Sequence, residues 1–156
     1  MKECIYSPLK GKAIKIEDVE DVMFSEKMLG DGVAVYPEYS KGVFAKNSLI
    51  YAPCDGEIVM VFPEKHAIGI KTTNGNEVLI HMGIETVELN GAPFNIKCNV
   101  GDVVKRGDVL GDVNWKMIEK SGRDIIVPII CTNLKEAISI INDQGSVDIT
   151  SALYSI

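Results

Sequence analysis

Histidine is the scarcest of the chemically versatile side chains here: 156 residues contain two, His66 and His81. That shortage argues against a histidine-built metal centre, and no H-x-H or H-E-x-x-H pattern begins one. Cysteine is nearly as sparse. Cys4, Cys54, Cys98 and Cys131 are widely spaced without any C-x-x-C pair, so neither a zinc ribbon nor a dense disulfide framework is written in the chain. They read as reduced, mostly packed thiols of a cytosolic protein. No run approaches the ~20 apolar residues of a membrane span, and MKECIYSPLK lacks the apolar core of a signal peptide. Positive charge is also in deficit. Sixteen Lys and Arg against twenty-two Asp and Glu leave a formal charge of −6, which speaks against a nucleic acid and for a basic partner. A soluble, cytoplasmic protein is expected.

What is present in quantity is short apolar strand. With 46% hydrophobic residues the chain can bury a sizeable core, and residues 1–156 are expected to form one domain. KAIKI, GVAVYP, LIYAP, EIVMVFP, HAIGIK, EVLIHMG, DVVKRGDVLGDV, DIIVPII and SVDIT recur between Gly, Pro, Asn and Asp clusters. That spacing predicts an all-β fold, an antiparallel β-sandwich or barrel-like hybrid with short helical turns. The helical candidates are residues 22–29, 116–120 and 134–138. A weak internal repeat supports the β reading: SPLKGKAIKI from Ser7 and APCDGEIVMV from Ala52 share proline, two residues, glycine and an alternating strand. EYSKGVFAKNSL between the copies reads as an exposed connection.

The two histidines fall in HAIGIKTTNGNEVLIHM, two alternating runs joined around Asn-Gly, a strong hairpin signal. If Asn74-Gly75 is a two-residue turn, Thr73 pairs with Asn76, Ile68 with His81 and His66 with Gly83. Both imidazoles then share one sheet face as diagonal neighbours, ~7–8 Å apart at the backbone. A three-residue loop would separate them, since a one-residue slip reverses every side chain. A pair of converging imidazoles is either structural, bonded to backbone, or chemical. In the second case one ring carries a phosphoryl group on its nucleophilic nitrogen while the other donates to its oxygens. An apolar rim of Leu79, Ile68, Met82 and Phe62 would keep hydrolytic water away.

GNEVLIHMGIETV, residues 75–87, resembles the signature around the phosphorylated histidine in the glucose-family IIA domains of the bacterial phosphoenolpyruvate-dependent sugar phosphotransferase system. SPLKGKAIKIEDVEDVMFSEKMLGDGVAVYP is similar to that family's opening, and APCDGEIVMVFPEKHAIGI to its central strand and second histidine. GDVVKRGDVL and DIIVPIICTN resemble its later strands, so the likeness covers nearly the whole chain.

The resemblance implies a phosphocarrier that needs no cofactor and no metal. His81 would accept a phosphoryl group from the phosphohistidine of the histidine-containing carrier protein and pass it to a cysteine on the IIB domain of a sugar permease. His66 would assist without being phosphorylated. Val22, Met23, Phe24, Met28 and Leu29, with Phe62 and Met82, would form the docking surface, and Asp21 and Glu85 would meet basic partner residues. Attachment to the membrane would come through the permease alone, because the chain begins close to its first strand and leaves no room for the amphipathic tail of some members. Two positions depart from the family pattern. Glu64 replaces the usual threonine two residues before the second histidine, where it would support the pair differently, and Glu85 stands where aspartate is common.

Three other readings use the same residues. A zinc hydrolase of related β architecture would need a third protein ligand. A biotinyl or lipoyl carrier would use GDVVKRGDVLGDV and a lysine such as Lys116, but leaves the histidines idle. A purely regulatory binding module is compatible with phosphorylation, since a phosphate on His81 would add charge to an apolar face.

Overall fold

The computed structural model describes residues 2–156, and it is built from short strands in open sheets. The strands are β1 (Cys4–Tyr6), β2 (Gly11–Lys15), β3 (Asp31–Pro37), β4 (Ser48–Tyr51), β5 (Gly56–Val61), β6 (Ala67–Thr72) and β7 (Glu77–His81). They continue with β8 (Phe94–Ile96), β9 (Val103–Val104), β10 (Val109–Val113), β11 (Val127–Cys131), β12 (Ser139–Ile140), β13 (Gly145–Val147) and β14 (Ala152–Ser155). Two helices, α1 (Val22–Ser25) and α2 (Trp115–Lys120), and two 3-10 turns complete the described chain. The large sheet runs β13-β2-β3-β11-β7-β6-β5-β9, beside three-stranded sheets β4-β10-β8 and β1-β14-β12. Every pairing among the described residues is antiparallel. The all-β, antiparallel expectation therefore holds, with no sheet closed on itself into a barrel.

The large sheet buries both faces, and strand alternation decides which residue goes where. Val33, Val35, Val78, Ile80, Val127 and Ile129 join the main core, whereas Ala34 and Ile130 join a second cluster with Ile16, Val19, Phe24, Ile84 and Ile126. Leu79 packs against that second cluster. The segment carrying α1 thus roofs one side of the sheet at its centre.

The internal repeat has a structural counterpart. β2 and β5 each lie one strand in from opposite edges of the large sheet. At their first residues a Cβ would strike a neighbouring backbone oxygen, that of Tyr36 at Gly11 and that of Lys71 at Gly56, so both glycines permit a close approach. The residue before each copy bonds to the proline of the other: Tyr6 N–H donates to the Pro53 carbonyl and Tyr51 N–H to the Pro8 carbonyl, both at 2.9 Å.

Three local expectations are corrected. The helix expected over 22–29 stops at Ser25, with Lys27 at φ 57 turning the chain away. Residues 134–138 form no helix; only Ile138 of these five packs against the core, so there is no apolar stripe to hold one down. The hairpin between β6 and β7 has a three-residue loop, not two. Thr72 faces Asn76 across it, and Gly75 supplies φ 88 as the loop's last residue. His81 consequently pairs with Ala67, one position from the expected Ile68.

Strands β1, β8, β12 and β14 lie outside the predicted set. The connection between β3 and β4 is exposed, with Val43 and Phe44 at 86% and 97%. Cys54, Cys98 and Cys131 are buried and Cys4 exposed, all as free thiols. No helix of the described chain is long and apolar enough to cross a membrane.

Candidate phosphoryl-accepting site

The slipped register should have sent the two imidazoles to opposite faces, yet their ring centroids are 5.1 Å apart at an interplanar angle of 79°. The reason lies in where His66 sits. It precedes β6 and follows Lys65, which adopts φ 64 in the turn leaving β5, so the ladder's alternation does not govern it. That turn is closed by Lys65 N–H donating to the Phe62 carbonyl and Phe62 N–H to the Ala67 carbonyl. His81 is the last residue of β7 and does follow the alternation, toward the second cluster.

Aromatic edges bracket the pair. Phe24 meets His81 and Phe62 meets His66, each with centroids 5.1 Å apart in edge contact. The four rings form a row in which the imidazoles occupy the middle, and apolar surface replaces water on either flank.

His81 is held through backbone. Its Nδ1 lies 2.7 Å from the Gly83 carbonyl, which fixes the neutral tautomer with the proton on Nδ1 and leaves a lone pair on Nε2. Gly83 is in turn locked: its N–H donates to the Ile126 carbonyl at 3.0 Å and the next N–H, of Ile84, to Asp124 at 2.9 Å. Its φ of 82 suits glycine, and a Cβ there would come within 2.6 Å of Thr86 Cγ2. The fully buried Thr86 hydroxyl donates to the Met82 carbonyl at 2.7 Å. Arg123 ties the same segment from outside, through Nε to the Glu85 carbonyl at 3.0 Å and Nη2 to Glu88 at 2.6 Å.

Burial pushes the His81 imidazole down from 6.5 to about 4, the Gly83 bond opposing this and His66 adding to it. The ring is therefore neutral, hence nucleophilic, at physiological pH. Burial also lowers His66, against the opposing charge of Glu64.

The residues expected to dock a partner divide into two groups. Val22, Met23, Met28 and Leu29 are exposed, at 38 to 63%; Phe62 is half-buried. Phe24 and Met82, expected at the docking surface, are buried, at 3% and 0%: Phe24 packs in the second cluster against His81, and Met82 in the main core. Ile68 and Met82 likewise belong to the main core and not to an apolar rim; Phe24 and Phe62 take that place. The Asp21 carboxylate caps α1 by accepting from Met23 N–H at 2.9 Å and also acts electrostatically on His81. Glu85 is exposed, in a left-handed conformation at φ 58. Glu64 is half-buried beside the turn. Sequence reasoning missed Gly83, Thr86 and Arg123. The spacing His-x-Gly is the signal for Gly83; nothing local signals Arg123, forty-two residues beyond the histidine.

Among the described residues no group of three His, Cys, Asp or Glu side chains stands together to hold a metal. Lys116 lies in α2 and not at a hairpin tip, which removes the geometry a swinging carrier lysine requires.

Two apposed imidazoles, one fixed by a backbone carbonyl and left with a free nucleophilic nitrogen, are an arrangement able to take up a phosphoryl group. Residues 3–137 match the family described as phosphoenolpyruvate-dependent sugar phosphotransferase system, EIIA 1, and the chain belongs to it as a EIIA component of that system. It is 42% identical over 135 residues to the glucose-specific EIIA component of Halalkalibacterium halodurans, covering 86% of this chain and 73% of that one. A glucosamine-specific EIICBA component of Bacillus subtilis is 42% identical over 134 residues, which span 86% of this chain and 20% of the relative. The solved structure of glucose permease IIA from Mycoplasma capricolum has a TM-score of 0.88 and 35% identity, over 99% of this chain and 96% of that one. The zinc-hydrolase alternative finds no support.

Proposed function

We propose that His81 accepts a phosphoryl group from the phosphohistidine of the histidine-containing carrier protein and passes it to the IIB domain of a sugar permease. The observation that carries this reading is the His81 ring, held by Gly83 and facing His66 across 5.1 Å. In the forward step the Nε2 lone pair forms the new N–P bond, while the pair of the breaking N–P bond returns to the donor's nitrogen. The proton stays on Nδ1, donated to the Gly83 carbonyl, which offsets the positive charge the ring acquires. His66 donates to the phosphoryl oxygens, and the Phe24 and Phe62 edges keep water from the N–P bond. Transfer of this kind asks for in-line positioning and charge stabilisation, which two placed imidazoles supply without a cofactor.

Both partners dock over Val22, Met23, Met28, Leu29 and Phe62, an apolar centre with Asp21 and Glu85 at its edge. A chain of net charge −6 suits a basic carrier that must arrive and leave quickly. The work is done in the cytoplasm, for a sugar of the glucose type, as the names of the relatives suggest. His66→Gln should still accept a phosphoryl group but pass it to the IIB cysteine at least tenfold more slowly, the usual scale of a proton-handling side chain being larger still. An onward rate equal to that of the unaltered protein would remove His66 from the mechanism.

A further inference from the structure

The relay leaves the connection between β3 and β4 unused. Its tip is a β-turn closed by Ala45 N–H donating to the Gly42 carbonyl at 3.1 Å, so Val43 and Phe44 are the corner residues. Turn corners are ordinarily filled by Gly, Pro, Asn, Asp or Ser, which suit both the backbone and the surrounding water. Here they carry the two most exposed large hydrophobic side chains among the described residues, at 86% and 97%. The base of the loop is pinned while the tip projects. The Tyr39 hydroxyl donates to Glu119 at 2.5 Å, and Asn47 Nδ2 to Asp112 at 2.9 Å.

Charge around the tip has one sign. Lys41 and Lys46 flank it, both exposed, and Lys46 lines one cleft with Lys116. From Tyr39 to Cys54 the chain holds no acidic residue, although the protein as a whole carries −6. The carboxylates packed near the base are already engaged: Glu119 by Tyr39 and Lys41, Asp112 by Asn47, Asn95 and Lys97, and Glu38 by Lys10.

We propose that residues 41–46 dip into the surface of an anionic lipid bilayer, Val43 and Phe44 entering the acyl boundary while Lys41 and Lys46 meet lipid phosphates. A protruding apolar tip needs a matching pocket in a protein, whereas a bilayer accepts it anywhere and bears negative charge at the depth of the lysines. With two apolar residues and two lysines the contact is weak and reversible. The lipid contact is the domain's own, and departs from the expectation that attachment comes through the permease alone. Val33 and Ile80 both pair with Ile129, so β3 and β7 run the same way and the connection leaves the sheet at the end where His81 lies. Lipid contact would therefore hold that end toward the bilayer.

The test is flotation with vesicles of equal parts phosphatidylglycerol and phosphatidylcholine at low salt. The unaltered protein should float with these vesicles and much less with phosphatidylcholine alone. Phe44→Ser should weaken binding at least about tenfold, as loss of a buried aromatic side chain would, with no change in unfolding midpoint because the ring lies almost wholly in solvent. Lys41→Gln with Lys46→Gln should weaken it several-fold, and added salt should do the same. In Phe44→Trp the new indole should shift its emission to the blue when vesicles are added, against the constant signal of the buried Trp115. Absence of binding to the anionic vesicles, binding that survives Phe44→Ser, or an emission that does not shift would overturn the proposal. Self-association that depends on Phe44 without lipid, or slowed transfer by Phe44→Ser to a lipid-free IIB domain, would assign the tip to a protein contact and overturn it equally. Phosphoryl acceptance in solution should be the same with and without Phe44→Ser, so this proposal and the carrier reading fail separately.

Discussion

At the scale of single residues, the proposed chemistry depends on His81 being neutral with its proton on Nδ1. Burial holds its midpoint near 4, so acceptance should be independent of His81 protonation from pH 8 down to about 5, and should fall only as the pH approaches 4. A rate that halves near pH 6.5, followed with His66→Gln as background, would show an ordinary exposed imidazole. Gly83→Ala should be among the more damaging small changes. It forces a side chain to φ 82 and against Thr86, at a cost of about 2 kcal/mol or more, and it shifts the carbonyl that fixes the nucleophile. Thermal unfolding and the His81 15N tautomer signal should move together; a change in stability alone would deny the carbonyl its orienting role. Both histidines were legible in the sequence, because a rare polar residue in an apolar run stands out. The residues that orient them were less so: Gly83 acts through its backbone, and Arg123 reaches Glu85 and Glu88 only after folding.

At the scale of elements, α1 matters beyond its four residues. So short a helix has little stability of its own, and it persists because Asp21 caps it and Phe24 is buried against the second cluster and His81. Asp21 therefore has two duties that substitution can separate. Asp21→Asn keeps a good cap and removes the charge, so stability should change by only a few tenths of a kcal/mol, whereas Asp21→Ala should lose about 1 kcal/mol. Equal unfolding midpoints for the two variants would contradict the capping role. Most strands were readable from alternation and turn residues. The hairpin register was not, since Asn-Gly serves two-residue and three-residue loops alike, and what pins this loop is remote. Glu3 accepts from Asn74 N–H at 3.0 Å and from the Asn76 side chain at 2.8 Å. The convergence of the histidines was expected from a wrong register, and it is produced instead by the turn at Lys65. The helix expected at 134–138 failed because composition suggested it while packing gave it no partner.

At the scale of the whole molecule, the sheet buries a core on each face and delivers both histidines to one end of its central strands. Acid should loosen this arrangement. Because the folded His81 midpoint of about 4 lies below the ordinary 6.5, the unfolded chain binds the proton more readily. The stability tied to His81 is therefore complete above about pH 6.5 and is lost as the pH falls toward 4. Unfolding in urea at pH 7 and pH 4.5 should show the drop, and His81→Ala should reduce it; an identical drop in that variant would assign it to other groups. Long-range charge belongs to this scale too. Charge reversal at Glu85 with Asp21→Asn should slow acceptance several-fold at low salt and little at high salt, as surface steering predicts. A rate that does not change at low salt would undo the docking assignment.

The most direct measurement is phosphorylation itself. The protein is incubated with phosphoenolpyruvate, the system's general first enzyme and the histidine-containing carrier protein, then read by intact mass and site mapping beside His81→Ala. We expect one acid-labile phosphoryl group on His81, and none on the variant, whose fold should survive the loss of this half-buried side chain. A folded protein that stays unlabelled beside active upstream proteins, or a label that persists in His81→Ala, would contradict the account.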